Sequence, residues 1–236
     1  MVVKSYFEYI NNIFLEMVEA ESENIKKAAQ LVAQAMADDR TFYVFGSGHS
    51  HMVAEELYLR AGGLMNIEAI LPDELMLHGL KFKSTFIERL EGYGKGLLNL
   101  YPIQEGDVFL IVSNSGRNAV PVEMAIEAKA KNAKVIAMTS LQHSQSVSSR
   151  HSSQLRLFEV ADIVLDTHAP MGDAGFKLEG LETKVGPVSD FIGIAMAQAL
   201  NVEITNLLIE KGIVPPVFVS SNLDGADLKN AELQKD

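Results

Sequence analysis

The chain contains no cysteine among its 236 residues. That single absence removes disulfide frameworks, thiolate nucleophiles and cysteine-ligated zinc together. Positive charge is also scarce, with 20 Lys and Arg against 31 Asp and Glu and a formal net charge of −11. A nucleic-acid backbone must be met by clustered basic side chains, so no nucleic-acid partner is expected. No apolar run comes near the roughly 20 residues needed to cross a bilayer. The N-terminus, Met1-Val2-Val3-Lys4-Ser5-Tyr6, lacks the basic-then-apolar layout of a signal peptide. The expectation is a cytoplasmic protein without a membrane partner. An anionic ligand would have to be captured by local loops, because the surface as a whole repels it.

What is present organises itself around strands. Apolar residues at Val3, Phe7, Ile10, Phe14, Met17 and Val18, then Ile25, Ala29, Val32, Ala35 and Met36, recur at helical spacing. They predict one broken helix or two helices in an N-terminal segment, residues 1–40. Five apolar, β-branched or aromatic runs follow, at about 41–46, 64–70, 107–112, 134–139 and 162–166, separated by helical segments. Continuous rather than alternating runs indicate parallel strands covered on both faces. The fold class is therefore α/β, a three-layer αβα sandwich with a five-stranded parallel sheet in the flavodoxin-like order 2-1-3-4-5. The main domain is expected over 41–214, with an insertion at 72–102 that a minimal βαβ unit does not need. A tail, 215–236, includes Pro215-Pro216-Val217-Phe218-Val219 and reads as an extended arm. A further helix near Val188 to Lys211 carries apolar residues on two sides: Phe191, Ile194 and Val202 on one, Ile192, Met196 and Leu207 on another. Such a helix should be covered twice, by its own sheet and by a second subunit, so a homodimer or higher homo-oligomer is expected.

Two of the strands empty into small, hydroxyl-rich loops before a helix. The first loop is Gly46-Ser47-Gly48-His49-Ser50 and the second is Ser113-Asn114-Ser115-Gly116-Arg117-Asn118. Ser47, Ser50, Ser113, Ser115 and Asn118 supply donors, Gly46, Gly48 and Gly116 admit close backbone approach, and Arg117 adds positive charge. Taken singly, these residues would serve equally as helix caps and turn formers. In the expected strand order, however, both loops meet at the carboxyl edge where open α/β sheets bind ligands. Gly46-Ser47-Gly48 begins like a dinucleotide fingerprint, but His51 stands where its third glycine would be, which argues against NAD.

The two loops resemble the signature loops of the SIS (sugar isomerase) domain family. Ser113-Asn114-Ser115-Gly116, then Glu123 to Lys129, then Val135-Ile136-Ala137-Met138-Thr139-Ser140, is similar to the family's Ser-x-Ser-Gly, Ala- and Lys-bearing helix and Ile-Ala-x-Thr strand end. The match covers most of residues 41–200, with Asn118 where the family usually has Thr. The chain resembles phosphoheptose isomerases and, through Arg117, the Ser-Gly-Arg of N-acetylmuramic acid 6-phosphate etherases. The resemblance implies a phosphosugar ligand and sites near a subunit interface. It also implies isomerase or lyase chemistry (etherase or dehydratase) without a cofactor. A non-catalytic phosphosugar sensor acting through a protein partner is the alternative.

Proton transfer between neighbouring carbons calls for Glu and His groups that titrate near neutral pH. Candidates near the loops are His49, His51, Glu55, Glu56, Glu74, His78, Glu88 and Glu91, with His168 and Asp173 after the fifth strand. Arg89-Leu90-Glu91-Gly92 resembles the etherase stretch in which an insertion glutamate is an acid/base, which makes Glu91 the leading catalytic candidate. Glu55 lies a turn before the place where related enzymes carry a second glutamate, a place taken here by Arg60. Glu74 and His78 are four residues apart and share one side of a short turn. His168 ends the fifth strand on the edge that carries the two loops. His49-x-His51 alone does not make a metal site, and none is expected.

Overall fold

Alternate side chains of the central strands enter two different cores. Along β1 (Phe42–Gly46), Phe42 and Val44 pack on one side and Tyr43 and Phe45 on the other, with every residue buried. In the computed structural model, which describes residues 1–233, β1 is joined by β2 (Ile67–Ile70), β3 (Val108–Val112), β4 (Lys134–Thr139) and β5 (Ile163–Asp166). All pairings are parallel, in the order β2-β1-β3-β4-β5. This is the expected flavodoxin-like sheet. Burial on both faces is why these strands read as unbroken apolar runs. Truncating a fully buried side chain such as Phe45 would cost about 3–5 kcal/mol.

In chain order the helices are α1 (Val2–Ala37), α2 (His51–Leu57), α3 (Lys83–Ile87), α4 (Tyr93–Leu98), α5 (Ala119–Ala130), α6 (Leu141–Gln145), α7 (Leu157–Val160), α8 (Ser189–Glu210) and α9 (Ala226–Leu233). Helices α1, α2 and α8 cover one face of the sheet, and α4, α5 and α7 cover the other. Three layers result.

The N-terminal segment is one continuous helix of 36 residues, not a broken one or a pair. The apparent break in its apolar stripe is Glu21, which occupies a core-facing position and is only 6% exposed. It is accommodated because Asn24 Nδ2 donates to it at 3.1 Å and His168 Nε2 lies 3.5 Å away. Residues 64–66 do not extend β2. Leu64 instead forms an antiparallel bridge with Val217, and Met65 N donates to Pro216 O at 2.8 Å, which docks the start of the tail against the main domain. The tail is not extended throughout: α9 occupies Ala226–Leu233, and the end of the expected arm, 234–236, lies outside the described residues, while an antiparallel pair β6 (Ala174–Phe176) and β7 (Val185–Pro187) was not expected. Helix α8 is long and apolar enough, by length and composition alone, to cross a membrane. The expectation of no apolar run of that length is thus corrected for Ser189–Glu210. Its buried residues, among them Ile192, Met196, Leu200 and Ile204, pack in the core with α1 and α2. Phe191, Val202 and Ile209 are exposed.

Candidate functional site

Because β1 and β3 are neighbours, their loops emerge side by side at the carboxyl edge of the sheet. Strand β1 ends at Gly46, where any side chain would collide with the Ser50 carbonyl, so the first loop can turn back at once. The second loop is tied down along its length. Ser113 N donates to Met138 O at 3.0 Å and Gly116 N to Ser113 Oγ at 3.2 Å. Ser140 N donates to Asn114 O at 3.1 Å, Leu157 N to Gly116 O at 2.8 Å, and Arg150 N to Arg117 O at 2.7 Å. Gly116 adopts φ +57°, a left-handed conformation that suits glycine. The two loops and the insertion enclose a cleft of about 670 Å³, a size suited to a small-molecule ligand.

The carboxylate of Glu88 joins the two loops across this cleft. Ser47 Oγ donates to its Oε2 at 2.9 Å and Asn118 Nδ2 donates to its Oε1 at 2.8 Å. Its main chain is fixed as well, since Val120 N, in the first turn of α5, donates to Glu88 O at 3.0 Å. Burial pushes the Glu88 carboxyl above its ordinary value, and it outweighs the opposing hydrogen bonds from Ser47 and Asn118 and the charges of Arg89 and Arg150. The result is a carboxyl whose proton exchange is moved toward neutral pH, as general acid–base work requires.

His143 also lines the cleft, from α6. Burial lowers its affinity for a proton, Asp173 opposes that shift and Arg117 adds to it, so the imidazole favours the neutral form. Two residues that line the cleft, His143 and Asn114, carry buried polar atoms with no hydrogen-bond partner among the described residues, Nδ1 and Oδ1 respectively. Orphaned polar atoms grouped at one cleft mark a place for a polar ligand or ordered water.

The structure brings together at this cleft Ser47, Gly48, His49 and Ser50 from the first loop and Ser113, Asn114, Ser115 and Asn118 from the second. Gly46 and Gly116 shape the backbone behind them. Arg117 turns toward Ser148, to whose Oγ its Nη2 donates at 3.3 Å. The remaining candidates are not among the residues that line the cleft. Glu91 accepts from Ser152 N at 2.8 Å and Ser152 Oγ at 2.7 Å, and these bonds hold its carboxylate below the usual range. Glu55 is exposed and lies 3.4 Å from His51 Nε2. His51 is buried, with its Nδ1 against Gly48 O. Glu74 accepts from the Tyr93 hydroxyl at 3.3 Å. His78 is exposed, its ring 6.2 Å from that of His51. His168 faces α1, with Nδ1 3.5 Å from Glu16 and Nε2 3.5 Å from Glu21.

Glu88, His143 and Lys81 are the cleft residues that sequence reasoning passed over or mentioned only among several others. Ser84 in the first turn of α3 and Glu88 at its C-terminal cap, four residues apart, were the available signal: both line the cleft while Ile87 packs into the core.

Comparison with known proteins matches the geometry to a family. The SIS domain family profile matches residues 5–140. A UPF0309 protein of Halalkalibacterium halodurans is 55% identical over 228 residues, covering 97% of this chain and 94% of the relative. Among solved structures, a phosphoheptose isomerase from Francisella tularensis shares the fold at TM-score 0.57 and 18% identity, covering 86% of this chain and 96% of that one. The Vibrio vulnificus NanR protein complexed with ManNAc-6P is similar at TM-score 0.55 and 13% identity, over 100% of this chain and 68% of that one.

Proposed function

Since this chain belongs to the SIS domain family, we propose that its cleft binds a sugar or amino-sugar 6-phosphate and converts it by proton-transfer chemistry, as an isomerase or a lyase. The phosphate is received by Ser50, Ser113, Ser115 and the backbone of the two loops, with Lys81 at the rim supplying charge. The observation that carries the catalytic part of this reading is Glu88, a half-buried carboxyl held by Ser47 and Asn118 with its pKa raised by burial. In an isomerisation, Glu88 removes the proton from the carbon next to the sugar carbonyl, and the enediol is reprotonated at the neighbouring carbon. In an elimination, the same proton is removed and the bond to the leaving group on the next carbon breaks. Neutral His143 is placed to exchange a hydrogen bond with a sugar hydroxyl or carbonyl. Exposed Phe7 and Leu15 of α1 and Phe191 and Val202 of α8 support a homodimer.

The test is product analysis of sugar 6-phosphates incubated with wild-type protein and with Glu88→Gln. The amide can still accept from Asn118 and donate to Ser47, so the variant keeps its fold. Loss of about a hundredfold or more in turnover, with ligand-induced thermal stabilisation retained, is the expected result. Undiminished turnover in Glu88→Gln would remove Glu88 from the chemistry.

The second reading is a sensor that does no chemistry. It is favoured by one feature: the Glu88 carboxylate bridges donors from both loops, so a ligand that displaces it would release the insertion. Ligand-induced stabilisation of the wild type with every sugar phosphate recovered unchanged would establish that reading.

A further inference from the structure

The chain has six arginines, and three of them gather behind the cleft residues Glu88 and Asn118. Arg60 pairs with Glu56 and Arg156 with Glu159, while Arg40 Nη1 donates to Gln104. Arg89, Arg117 and Arg150 differ: among the described residues, none of them has a carboxylate within 4.0 Å. They are nonetheless held close together. Arg89 follows Glu88 in the chain, Arg150 N donates to Arg117 O at 2.7 Å, and Arg150 Nη1 donates to Asn118 Oδ1 at 2.9 Å. Asn118 in turn donates to Glu88. Partial burial and the charges of Arg117 and Arg89 disfavour the charged state of Arg150, as crowded cations do. The Nε of Arg117 is buried and has no partner.

Glu88 is the nearby carboxyl whose charge acts on Arg89 and Arg150, and it is already held by Ser47 and Asn118. Gathering half of the arginines with no carboxylate in direct contact costs free energy, in a protein with an excess of carboxylates available to pair with them. We propose that Arg89, Arg117 and Arg150 form a second anion site beside the cleft, so that the natural ligand is a phosphosugar bearing a second anionic group, a carboxylate or another phosphate. Guanidinium groups bind both anions through paired N–H donors. The inference rests on the phosphosugar reading given above. In the hydrogen-bonded chain Ser47–Glu88–Asn118–Arg150, Glu88 stands between the first loop and the arginines. A ligand held at both ends would therefore lay its carbon skeleton over the proposed acid/base.

The experiment is titration calorimetry of the full chain with a hexose 6-phosphate, the corresponding aldonic acid 6-phosphate and a hexose 1,6-bisphosphate, repeated on Arg89→Gln. Arg89 is exposed and its side chain makes no hydrogen bond within the described residues, so the variant does not threaten folding. The expected result is that at least one doubly anionic ligand binds about tenfold or more tightly than the hexose 6-phosphate, a difference of about 1.4 kcal/mol, and that Arg89→Gln removes most of this advantage. An advantage confined to the aldonic acid assigns the site to a carboxylate, and one confined to the bisphosphate assigns it to a phosphate. Equal affinity for all three ligands, or an advantage unchanged in Arg89→Gln, overturns the second site while leaving the phosphosugar reading standing. Failure of all three to bind overturns both.

Discussion

The two serine loops look alike in sequence and are held differently. The second is fixed by backbone hydrogen bonds to Met138, Ser140, Arg150 and Leu157, with Gly116 N donating to Ser113 Oγ and Thr139 Oγ1 donating to Asn114 O, and it carries Arg117 with Arg150 beside it. The first has fewer ties: Ser50 N to Ser47 O at 3.2 Å, the Gly48 carbonyl against His51, and the Ser47 hydroxyl committed to Glu88. The second loop is preorganised, with positive charge beside it. The first offers a hydroxyl whose present partner is a carboxyl that can be exchanged. Preorganised donors stabilise an anion without further ordering cost, whereas a loop that must give up a partner can report that something has arrived.

The sharpest way to break this comparison uses a glycine that each loop holds in the left-handed region, Gly48 at φ +56° and Gly116 at φ +57°. An alanine at either position meets backbone strain of about 1–2 kcal/mol. Around Gly48 the added methyl meets nothing within 4 Å, whereas at Gly116 it lies 2.9 Å from Ser144 Oγ and 3.2 Å from Leu157 Cβ. Overpacking adds about 1–3 kcal/mol there. Gly116→Ala should therefore lower Tm several degrees more than Gly48→Ala, at about 2–4 °C per kcal/mol for a chain of this size. Equal shifts in a thermal melt would mean that the second loop yields as easily as the first.

A smaller effect tests the bridge between the loops. The folded-state pKa of Glu88 is raised above the ordinary value of 4.5. Its proton is thus held more tightly in the native state, and the stability linked to it is present below 4.5 and lost as pH rises through the folded value. Glutamine at this position cannot lose a proton. The stability of Glu88→Gln relative to wild type should then increase from pH 4 upward and level off once Glu88 has ionised, measured by urea unfolding at a series of pH values. A difference that falls over the same range would mean that Ser47, Asn118 and the nearby arginines stabilise the carboxylate more than burial penalises it.

The parallel sheet was legible because strands buried on both faces cannot avoid unbroken apolar runs, and the two loops were legible as a pair because that sheet order makes their strands neighbours and brings both to one carboxyl edge. Helix α1 was read as broken because Glu21 faces the core, and only the fold brings His168 within reach of it. That same contact, more than a hundred residues apart in sequence, engages His168 on the α1 side of the sheet. Glu88 was harder still. Its selection over Glu91 depends on where a five-residue helix ends, and the helix is anchored through Val120 N and the loop hydroxyls rather than by a pattern of its own.

Glu91 gives the smallest expected effect and bears most directly on the difference between the loops, because it belongs to the second loop's support. Its carboxylate holds Ser152, in the same surface segment as Arg150, whose backbone ties to Arg117. It is 44% exposed on its side chain and its hydrogen bonds compete with water. Glu91→Gln keeps an acceptor for Ser152 N, so turnover of a sugar 6-phosphate should change by less than about threefold, against a hundredfold for Glu88→Gln. Any loss that does occur should appear in KM, because the variant loosens the segment carrying Arg150 and leaves Glu88 in place. A large fall in kcat with KM unchanged would transfer the acid/base role from the carboxyl that bridges the loops to the one that braces the second.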